Sequence, residues 1–342
     1  MSAPLPSSTS TTEAAPTSVD QTESEATKVV VLDSPDAQLA LLAQLLTNAG
    51  VPTDYQQITG PDVDLVGLLK EATVLVTEAT AIRAELLDQL PQLRLVIRAG
   101  IGIDIIDVAA ASARGVRVAN VPNFCVDEVA DHTVLLVLAT VRRLMAYTED
   151  VRAGGWQVPM RPGIRRMSKL TVGVVGLGAI GSRVMQRLQG FGCTILVHDP
   201  RTVDLPGGVQ AVTLDQLLAQ SDVITLHCPL TEQTRGLLSG QALGANLKQP
   251  YVINVSRGEL VDIDALDALI EAGHVSGAAV DVLPGEPWPD LSHSLVRRPE
   301  VLVTPHVAWQ SDDALHELNV SVHDTIQHFV QHGQVPSEVE VA

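Results

Sequence analysis

Short runs of β-branched and aliphatic residues alternate along the chain with longer segments in which apolar residues recur every three or four positions. One series of apolar runs predicts strands at 28–33, 72–77, 93–100 and 115–121. A second series predicts strands at 170–181, 193–200, 221–230, 250–258, 276–287 and 301–306. Strands separated by helices favour parallel sheets covered by helices on both faces. The pattern therefore predicts an α/β fold with two parallel sheets.

Three longer segments show clear helical periodicity, at 36–50, 126–147 and 312–333. The first is closed by Gly50. The second is too apolar to be freely solvated, so we expect it to cross between domains, to pack on a partner subunit, or both. The third is expected either to cap the second sheet or to return to the first.

The length of the chain and the composition of its first residues indicate how many domains to expect. A chain of 342 residues favours two domains over one. Residues 1–26 are rich in Ser, Thr, Ala and Pro and lack the features of a signal peptide, so we expect a disordered tail. There is no run of eighteen apolar residues, so a membrane span is not expected.

Charge and cysteine content narrow the classes of partner. The net charge of −18 repels phosphate backbones and disfavours nucleic-acid binding. An anionic ligand would need a locally positive site, which makes the arginines informative. The three cysteines have no metal-like spacing, and their odd number indicates a reducing, cytoplasmic setting. We predict no metal site.

A glycine-rich turn follows the first strand of the second series. Gly176, Gly178 and Gly181 form G-x-G-x-x-G between a β-branched strand and a helical segment. The first glycine allows a tight turn, the second allows close approach of a pyrophosphate, and the third allows close helix packing. Asp199 ends the next strand, 18 residues after Gly181, where an acid accepts hydrogen bonds from ribose hydroxyls. This favours NAD over NADP, a preference that Arg201 weakens.

Three polar residues follow three strands of the second series. Arg257, Glu286 and His306 should meet at the carboxyl edge of a parallel sheet, where ligands bind. Hydride transfer to a carbonyl needs a cation for the substrate and a proton donor for the developing alkoxide. Arg257 matches a carboxylate, His306 can exchange a proton near neutral pH, and Glu286 would favour the imidazolium and hold one tautomer.

These features together resemble the D-isomer-specific 2-hydroxyacid dehydrogenases. The matching stretches are RAGIGIDIID (98–107), PNFCVDEVADHT (122–133), VGLGAIG (175–181), HCPLTEQT (227–234), INVSRGELVD (253–262), DVLPGEP (281–287) and TPHVAW (304–309). Within the family, DVLPGEP around the glutamate and AWQS (308–311) after the histidine also resemble the branch that contains the C-terminal-binding protein corepressors and their bacterial relatives.

The resemblance implies two Rossmann-like domains, a flavodoxin-like substrate domain and an NAD-binding domain, in a homodimer built through the 126–147 region. The substrate domain would comprise 27–120 and 310–342, and the NAD-binding domain 121–309. The implied cofactor is NAD. The implied cofactor-binding residues are Ile101, Gly176, Gly178, Ala179, Ile180, Gly181, Asp199, Cys228, Pro229, Thr234, Val255, Ser256 and Asp281. The implied substrate-binding residues are Arg98, Ala99, Gly100, Gly102 and Trp309.

The leading prediction is an NAD-dependent enzyme that reversibly reduces a small 2-keto acid, with catalytic Arg257, Glu286 and His306. An NAD(H)-sensing scaffold and a phosphoglycerate or phosphite dehydrogenase are the alternatives. Glu78 occupies a position where a cation would help to bind a phosphorylated substrate, which argues against one. Asp104, Asp107 and Glu128 are interpreted as caps and surface groups.

Overall fold

The computed structural model describes residues 27–157, 163–201 and 205–340. The predicted disordered tail, 1–26, lies outside these residues. The strands are β1 (Val29–Asp33), β2 (Thr53–Gln57), β3 (Val74–Thr77), β4 (Leu95–Arg98), β5 (Arg117–Ala119), β6 (Thr171–Val175), β7 (Thr194–His198), β8 (Val209–Ala211), β9 (Val223–Leu226), β10 (Tyr251–Asn254), β11 (Gly277–Val280) and β12 (Val301–Val303).

The helices lie between and after these strands. They are α1 (Ala40–Asn48), α2 (Leu65–Leu69), α3 (Ala84–Leu87), α4 (Val108–Ala113), α5 (Val126–Val141), α6 (Leu144–Arg152), α7 (Ala179–Gln189), α8 (Leu214–Gln220), α9 (Gly240–Gly244), α10 (Ile263–Glu271) and α11 (Asp312–His332). Within the described ranges, no helix is both long and apolar enough to cross a membrane.

The strands form two parallel sheets. The first has the order β2-β1-β3-β4-β5, and the second has the order β12-β11-β10-β9-β6-β7-β8. The central strands are buried along their whole length, as expected for sheets covered on both faces. This arrangement confirms the predicted α/β class with two parallel sheets.

Two strands were not predicted from the sequence, and both lie at the edge of a sheet. β2 has the polar sequence TDYQQ and is only partly buried, and β8 is a three-residue strand with two exposed positions. An edge strand packs against one neighbour only and therefore tolerates polar side chains. Neither segment has the continuous apolar run that marked the central strands.

The predicted helix 126–147 is divided in the structure. α5 ends at Val141, and α6 begins at Leu144 after Arg143, whose backbone has φ 53°. A left-handed residue cannot continue an α-helix, so the prediction of one helix was wrong at this point. α5 packs against α7, and Arg187 of α7 bonds Asp127 at 2.9 Å and Asp131 at 2.5 Å.

The last helix returns to the first sheet. α11 packs against α1, and a buried asparagine, Asn319, joins them. Its Oδ1 accepts from the Leu42 amide at 2.8 Å, and its Nδ2 donates to the Gln38 carbonyl at 2.9 Å. Beyond the helix, the Val339 amide donates to the Val118 carbonyl at 2.8 Å, so Val339 lies beside β5.

Candidate functional site

The glycine-rich turn joins β6 to α7 and makes two close backbone approaches. Gly176 has φ 89°, and a Cβ there would lie 2.8 Å from the backbone of His227 and Cys228 at the end of β9. A Cβ on Gly181 would lie 2.1 Å from the Gly176 carbonyl oxygen. Both positions therefore require glycine for packing within the protein.

Gly178 differs from these two glycines. A Cβ on Gly178 would meet nothing within 4 Å, and the residue stands at the start of α7, where no side chain caps the helix. The amides of Ala179, Ile180 and Gly181 form the first turn, and that turn carries no acidic side chain. Open space above uncapped helix amides suits a pyrophosphate. These residues fit the diphosphate of a dinucleotide.

Asp199 follows β7, and both oxygens of its carboxylate accept hydrogen bonds. Oδ2 accepts from the Leu177 amide at 2.7 Å, which ties it to the glycine-rich turn. Arg201 donates to Oδ1 through Nε and to Oδ2 through Nη2, both at 2.9 Å. The Arg201 guanidinium is the largest influence that lowers the pKa of Asp199. Asp199 is therefore an anion beside the turn, where a ribose would lie.

Five further residues that were predicted to bind the cofactor, Cys228, Pro229, Thr234, Val255 and Ser256, follow the adjacent strands β9 and β10. β9, β10 and β6 are neighbours in the sheet, so Cys228, Val255 and Ser256 lie along one edge with the glycine-rich turn. The Ser256 hydroxyl donates to the Cys228 carbonyl at 2.7 Å. The Thr234 hydroxyl donates to the Pro229 carbonyl at 2.7 Å and closes the loop after β9. Burial raises the pKa of the Cys228 thiol to about 11, so this thiol is neutral.

His306 and Glu286 form a direct pair. His306 Nδ1 lies 2.5 Å from Glu286 Oε2, and both side chains remain partly exposed to the cleft. The second carboxylate oxygen of Glu286 accepts from the Leu283 amide at 2.8 Å. A carboxylate on Nδ1 fixes the ring orientation and directs Nε2 away from the pair. The pairing predicted from the strand ends is present in the structure.

The loop that carries His306 is held by Asp281. His306 has φ 53°, a conformation that costs a non-glycine residue about 1–3 kcal/mol. The Asp281 carbonyl accepts from the His306 amide at 2.7 Å, and its buried carboxylate accepts from the amides of Val307 and Ala308 at 2.9 Å. The Thr304 hydroxyl donates to the same carboxylate at 2.5 Å. Asp281 was predicted to bind the cofactor. In the structure, it orients the loop that carries His306.

Arg257 is oriented from the other sheet. Its Nε donates to Asp104 Oδ1 at 2.9 Å, and its Nη1 donates to the Ser256 carbonyl at 2.7 Å. A Cβ on Gly102 would lie 1.7 Å from Arg257 Nη2, so the guanidinium rests on the backbone of that glycine. The interpretation of Asp104 as a cap or surface group was wrong, because Asp104 is the partner of Arg257.

Two other acids were interpreted as caps or surface groups. Asp107 caps α4, because its carboxylate accepts from the Ala110 amide at 2.8 Å, and Glu128 accepts from the Ser311 hydroxyl at 2.8 Å.

Arg98 ends β4 and folds back over the loop that follows. Its Nη1 donates to the Ala99 carbonyl at 3.0 Å and would collide with a Cβ on Gly100, whose φ is 151°. The Nε of Arg98 is buried and has no hydrogen-bond partner among the described residues. Burial first, and then the charge of Arg257, lower the pKa of Arg98 to about 10. The guanidinium therefore has donor capacity left for an anion. The carbonyl of Ile101 accepts from Asn120 Nδ2 at 2.7 Å and fixes the loop beyond.

Trp309 is half-buried against Phe124. The ring centroids are 6.1 Å apart with the planes tilted by 52°. Phe124 lies just before α5 and Trp309 lies just before α11, so the two rings pack where the chain crosses between the sheets in both directions. The structure thus assigns Trp309 a packing contact in addition to its predicted place at the substrate.

Two further residues next to the site were not among the predicted ones. His132 of α5 lies 3.4 Å from the Thr304 hydroxyl and extends the Asp281 network into that helix. Its signal in the sequence was only its presence in the matched stretch 122–133. Asp104 likewise lay within a matched stretch, but no local spacing connects it with Arg257. Among the described residues, no group of three or more His, Cys, Asp or Glu side chains could hold a metal ion.

Comparisons with known proteins show to which family the chain is similar. Residues 134–308 match the family model described as "D-isomer specific 2-hydroxyacid dehydrogenase, NAD binding domain". The chain is 37% identical to D-3-phosphoglycerate dehydrogenase of Mycobacterium tuberculosis over 85% of its own length. That match covers 56% of the relative, so the chain spans little more than half of the phosphoglycerate dehydrogenase.

A second relative is matched along most of its length. Glycerate dehydrogenase of Methylorubrum extorquens is 34% identical, with 81% of this chain and 88% of the relative covered. Among solved structures, D-lactate dehydrogenase of Aquifex aeolicus, complexed with NAD and lactic acid, superposes with a TM-score of 0.82. It is 26% identical, and the match covers 91% of this chain and 100% of that chain. The chain therefore belongs to the D-isomer-specific 2-hydroxyacid dehydrogenase family, and its second sheet forms the NAD-binding domain of that family.

Proposed function

We propose that the protein is an NAD-dependent D-2-hydroxyacid dehydrogenase that reversibly reduces a small 2-keto acid at C2. The observation that carries this proposal is the 2.5 Å contact between His306 Nδ1 and Glu286 Oε2 on a loop anchored by Asp281. A scaffold that only senses NAD(H) has no need for a histidine held in this way. When bound, NADH supplies the hydride.

The residues of this chain provide the remaining chemistry. Arg257 binds the substrate carboxylate or carbonyl through the end of its guanidinium that rests on Gly102, because Nε and Nη1 already have partners. Arg98 adds positive charge beside it. His306 donates a proton from Nε2 to the C2 oxygen during reduction and takes it back during oxidation. Glu286 stabilises the imidazolium and holds the ring in place.

The same proposal includes the organisation of the chain. Residues 27–120 and 310–342 form the substrate domain, and residues 121–309 form the NAD-binding domain. The packing of α11 on α1 through Asn319 supports the assignment of the C-terminal helix to the first part. We also propose a cytoplasmic homodimer that binds neither nucleic acid nor membranes. The net charge of −18 supports the first of these exclusions.

Among the family activities, reduction of an unphosphorylated acid has the best support. The relatives include proteins named D-3-phosphoglycerate dehydrogenase, glycerate dehydrogenase and glyoxylate reductase. The carboxylate of Glu78 lies within electrostatic reach of Arg98 and His306, where it would oppose the dianion of a phosphate ester. For this reason, oxidation of phosphoglycerate is our second candidate activity.

Oxidation of NADH with a panel of 2-keto acids tests the proposal. The panel contains glyoxylate, hydroxypyruvate, phenylpyruvate and 4-methylthio-2-oxobutyrate, with phosphohydroxypyruvate as the phosphorylated comparison. We expect turnover of at least one unphosphorylated acid and a loss of about 10³-fold or more in kcat for His306→Ala. Tight NADH binding with no turnover of any acid would support the scaffold instead.

A further inference from the structure

Glu78 stands at the substrate edge of the first sheet. It follows β3 directly, and Thr77 at the end of β3 pairs in register with Arg98 at the end of β4. The segments that follow β3 and β4 therefore leave the sheet side by side at the same edge. The charges of both Arg98 and His306 act on the Glu78 carboxylate. Glu78 thus lies in the same cleft as Arg98 and His306.

The carboxylate of Glu78 has no hydrogen-bond donor among the residues that the structure describes. A nearby acid at the same edge shows the contrast, because Asp33 accepts from the amides of Ser34 and Leu39 and from the Tyr55 hydroxyl. Burial raises the pKa of Glu78, while the charges of Arg98 and His306 act in the opposite direction. The Glu78 oxygens are not among the buried atoms that lack a partner, so they are open to the solvent and can accept a hydrogen bond from a ligand.

The groups around the cleft are net negative before any substrate binds. The side chains of Arg98, Arg257 and His306 face the carboxylates of Glu78, Asp104 and Glu286, and two further acids, Asp33 and Asp36, also act on Glu78. A simple keto acid adds one negative charge, and a dicarboxylate or phosphate ester adds more. A zwitterionic keto acid adds none. The charge balance therefore favours a substrate that carries its own cation.

On the basis of the proposed function, we infer that Glu78 is a specificity-determining residue that receives a cationic, hydrogen-bond-donating group at the end of the substrate side chain. The substrate class is a 2-keto acid whose carboxylate meets Arg257 and Arg98 and whose tail ends in a guanidinium or ammonium group. A tail donor satisfies the carboxylate that the protein leaves without a partner. An anionic tail is repelled by the same carboxylate.

Three keto acids of similar length test this inference. We compare 5-guanidino-2-oxopentanoate, which has a cationic tail, with the neutral 2-oxohexanoate and the anionic 2-oxoadipate, each relative to tail-less glyoxylate. We expect kcat/KM to be highest for the cationic acid, about tenfold above the neutral one, and lowest for the anionic one. Glu78→Gln should lower the ratio of cationic to neutral acid about tenfold and raise the relative rate with 2-oxoadipate.

The control variant is Glu85→Gln, which removes an exposed carboxylate from α3 in the same part of the chain. It should leave the three ratios unchanged, and thermal unfolding should show that both variants are folded. If glyoxylate is reduced but the tail charge has no effect, or if Glu78→Gln leaves the ratios as they are, the inference is overturned and the proposed function stands. If no keto acid is reduced, both fail together.

Discussion

At the scale of single residues, two acids hold His306 in position through hydrogen bonds. Glu286 fixes its ring, and Asp281 fixes its backbone through the amides on either side of the turn. The first contact acts on the charge of the imidazole, and the second acts on its position. The two acids therefore have separable effects on a reaction in which His306 donates a proton.

Substitution of Glu286 by glutamine should slow reduction. The amide removes the charge that lies 2.5 Å from His306 Nδ1 and holds the ring, so kcat should fall about tenfold or more while KM changes little. Glu317→Gln, which removes an exposed carboxylate of α11, is the matched control. A wild-type kcat in Glu286→Gln would remove Glu286 from this role.

The sequence was informative for residues that follow strands and uninformative for contacts between the sheets. Glu286 and His306 could be brought together because both follow strands of one parallel sheet. Asp104 could not be assigned to Arg257, because the two residues are 153 positions apart and belong to different sheets. Nothing in the local pattern of either segment encodes that contact, which arises only when the two sheets face each other.

At the scale of elements, the turn between β6 and α7 separates two uses of glycine. Gly181 is required by the protein itself, since a Cβ would lie 2.1 Å from the Gly176 carbonyl oxygen. Gly178 has open space above it, and its φ of −75° is accessible to alanine. The space at Gly178 is therefore available to a ligand.

Two alanine substitutions distinguish these uses. Gly178→Ala should leave the melting temperature unchanged and raise the Kd for NADH by about tenfold or more, because the added methyl obstructs the pyrophosphate. Gly181→Ala should reduce the free energy of unfolding by about 1–3 kcal/mol, because α7 must move away from the turn. Gly190→Ala is the control, because Gly190 directly follows the same helix and an added Cβ there would lie 3.4 Å from the nearest atom, the Arg187 carbonyl oxygen. Wild-type NADH affinity in Gly178→Ala would argue against a cofactor at this turn.

Central elements were predictable because burial on both faces imposes a continuous apolar run. The edge strands β2 and β8 were missed for the converse reason, since their solvent-facing side accepts polar residues. The break between α5 and α6 was also missed. Its cause is the left-handed backbone of Arg143, a residue type that carries no turn signal.

At the scale of the whole molecule, exposed apolar side chains lie along the chain on both sides of this break. Four described side chains in this segment are more than half exposed, namely Leu135, Leu144, Val151 and Trp156. Trp156 is the most exposed of them, at 87%. Exposed apolar side chains are typical of surfaces that another protein covers when they form one patch. These four side chains lie in and just beyond the segment that we propose as the interface of a homodimer.

An aspartate at Leu144 tests this interface. The wild-type protein should elute with twice the monomer mass of 36.3 kDa in size-exclusion chromatography with light scattering, and Leu144→Asp should shift it toward the monomer. Leu247→Asp provides the control, because Leu247 is 94% exposed and lies outside this segment. A monomeric wild-type protein at micromolar concentration would refute the proposed dimer.

The bond between Arg257 and Asp104 makes anion binding a property of both sheets at once. Asp104 follows β4 of the first sheet, and Arg257 follows β10 of the second, so any separation of the sheets breaks their ion pair. The guanidinium comes from one sheet and the acid that orients it comes from the other, so neither half carries a complete anion site alone.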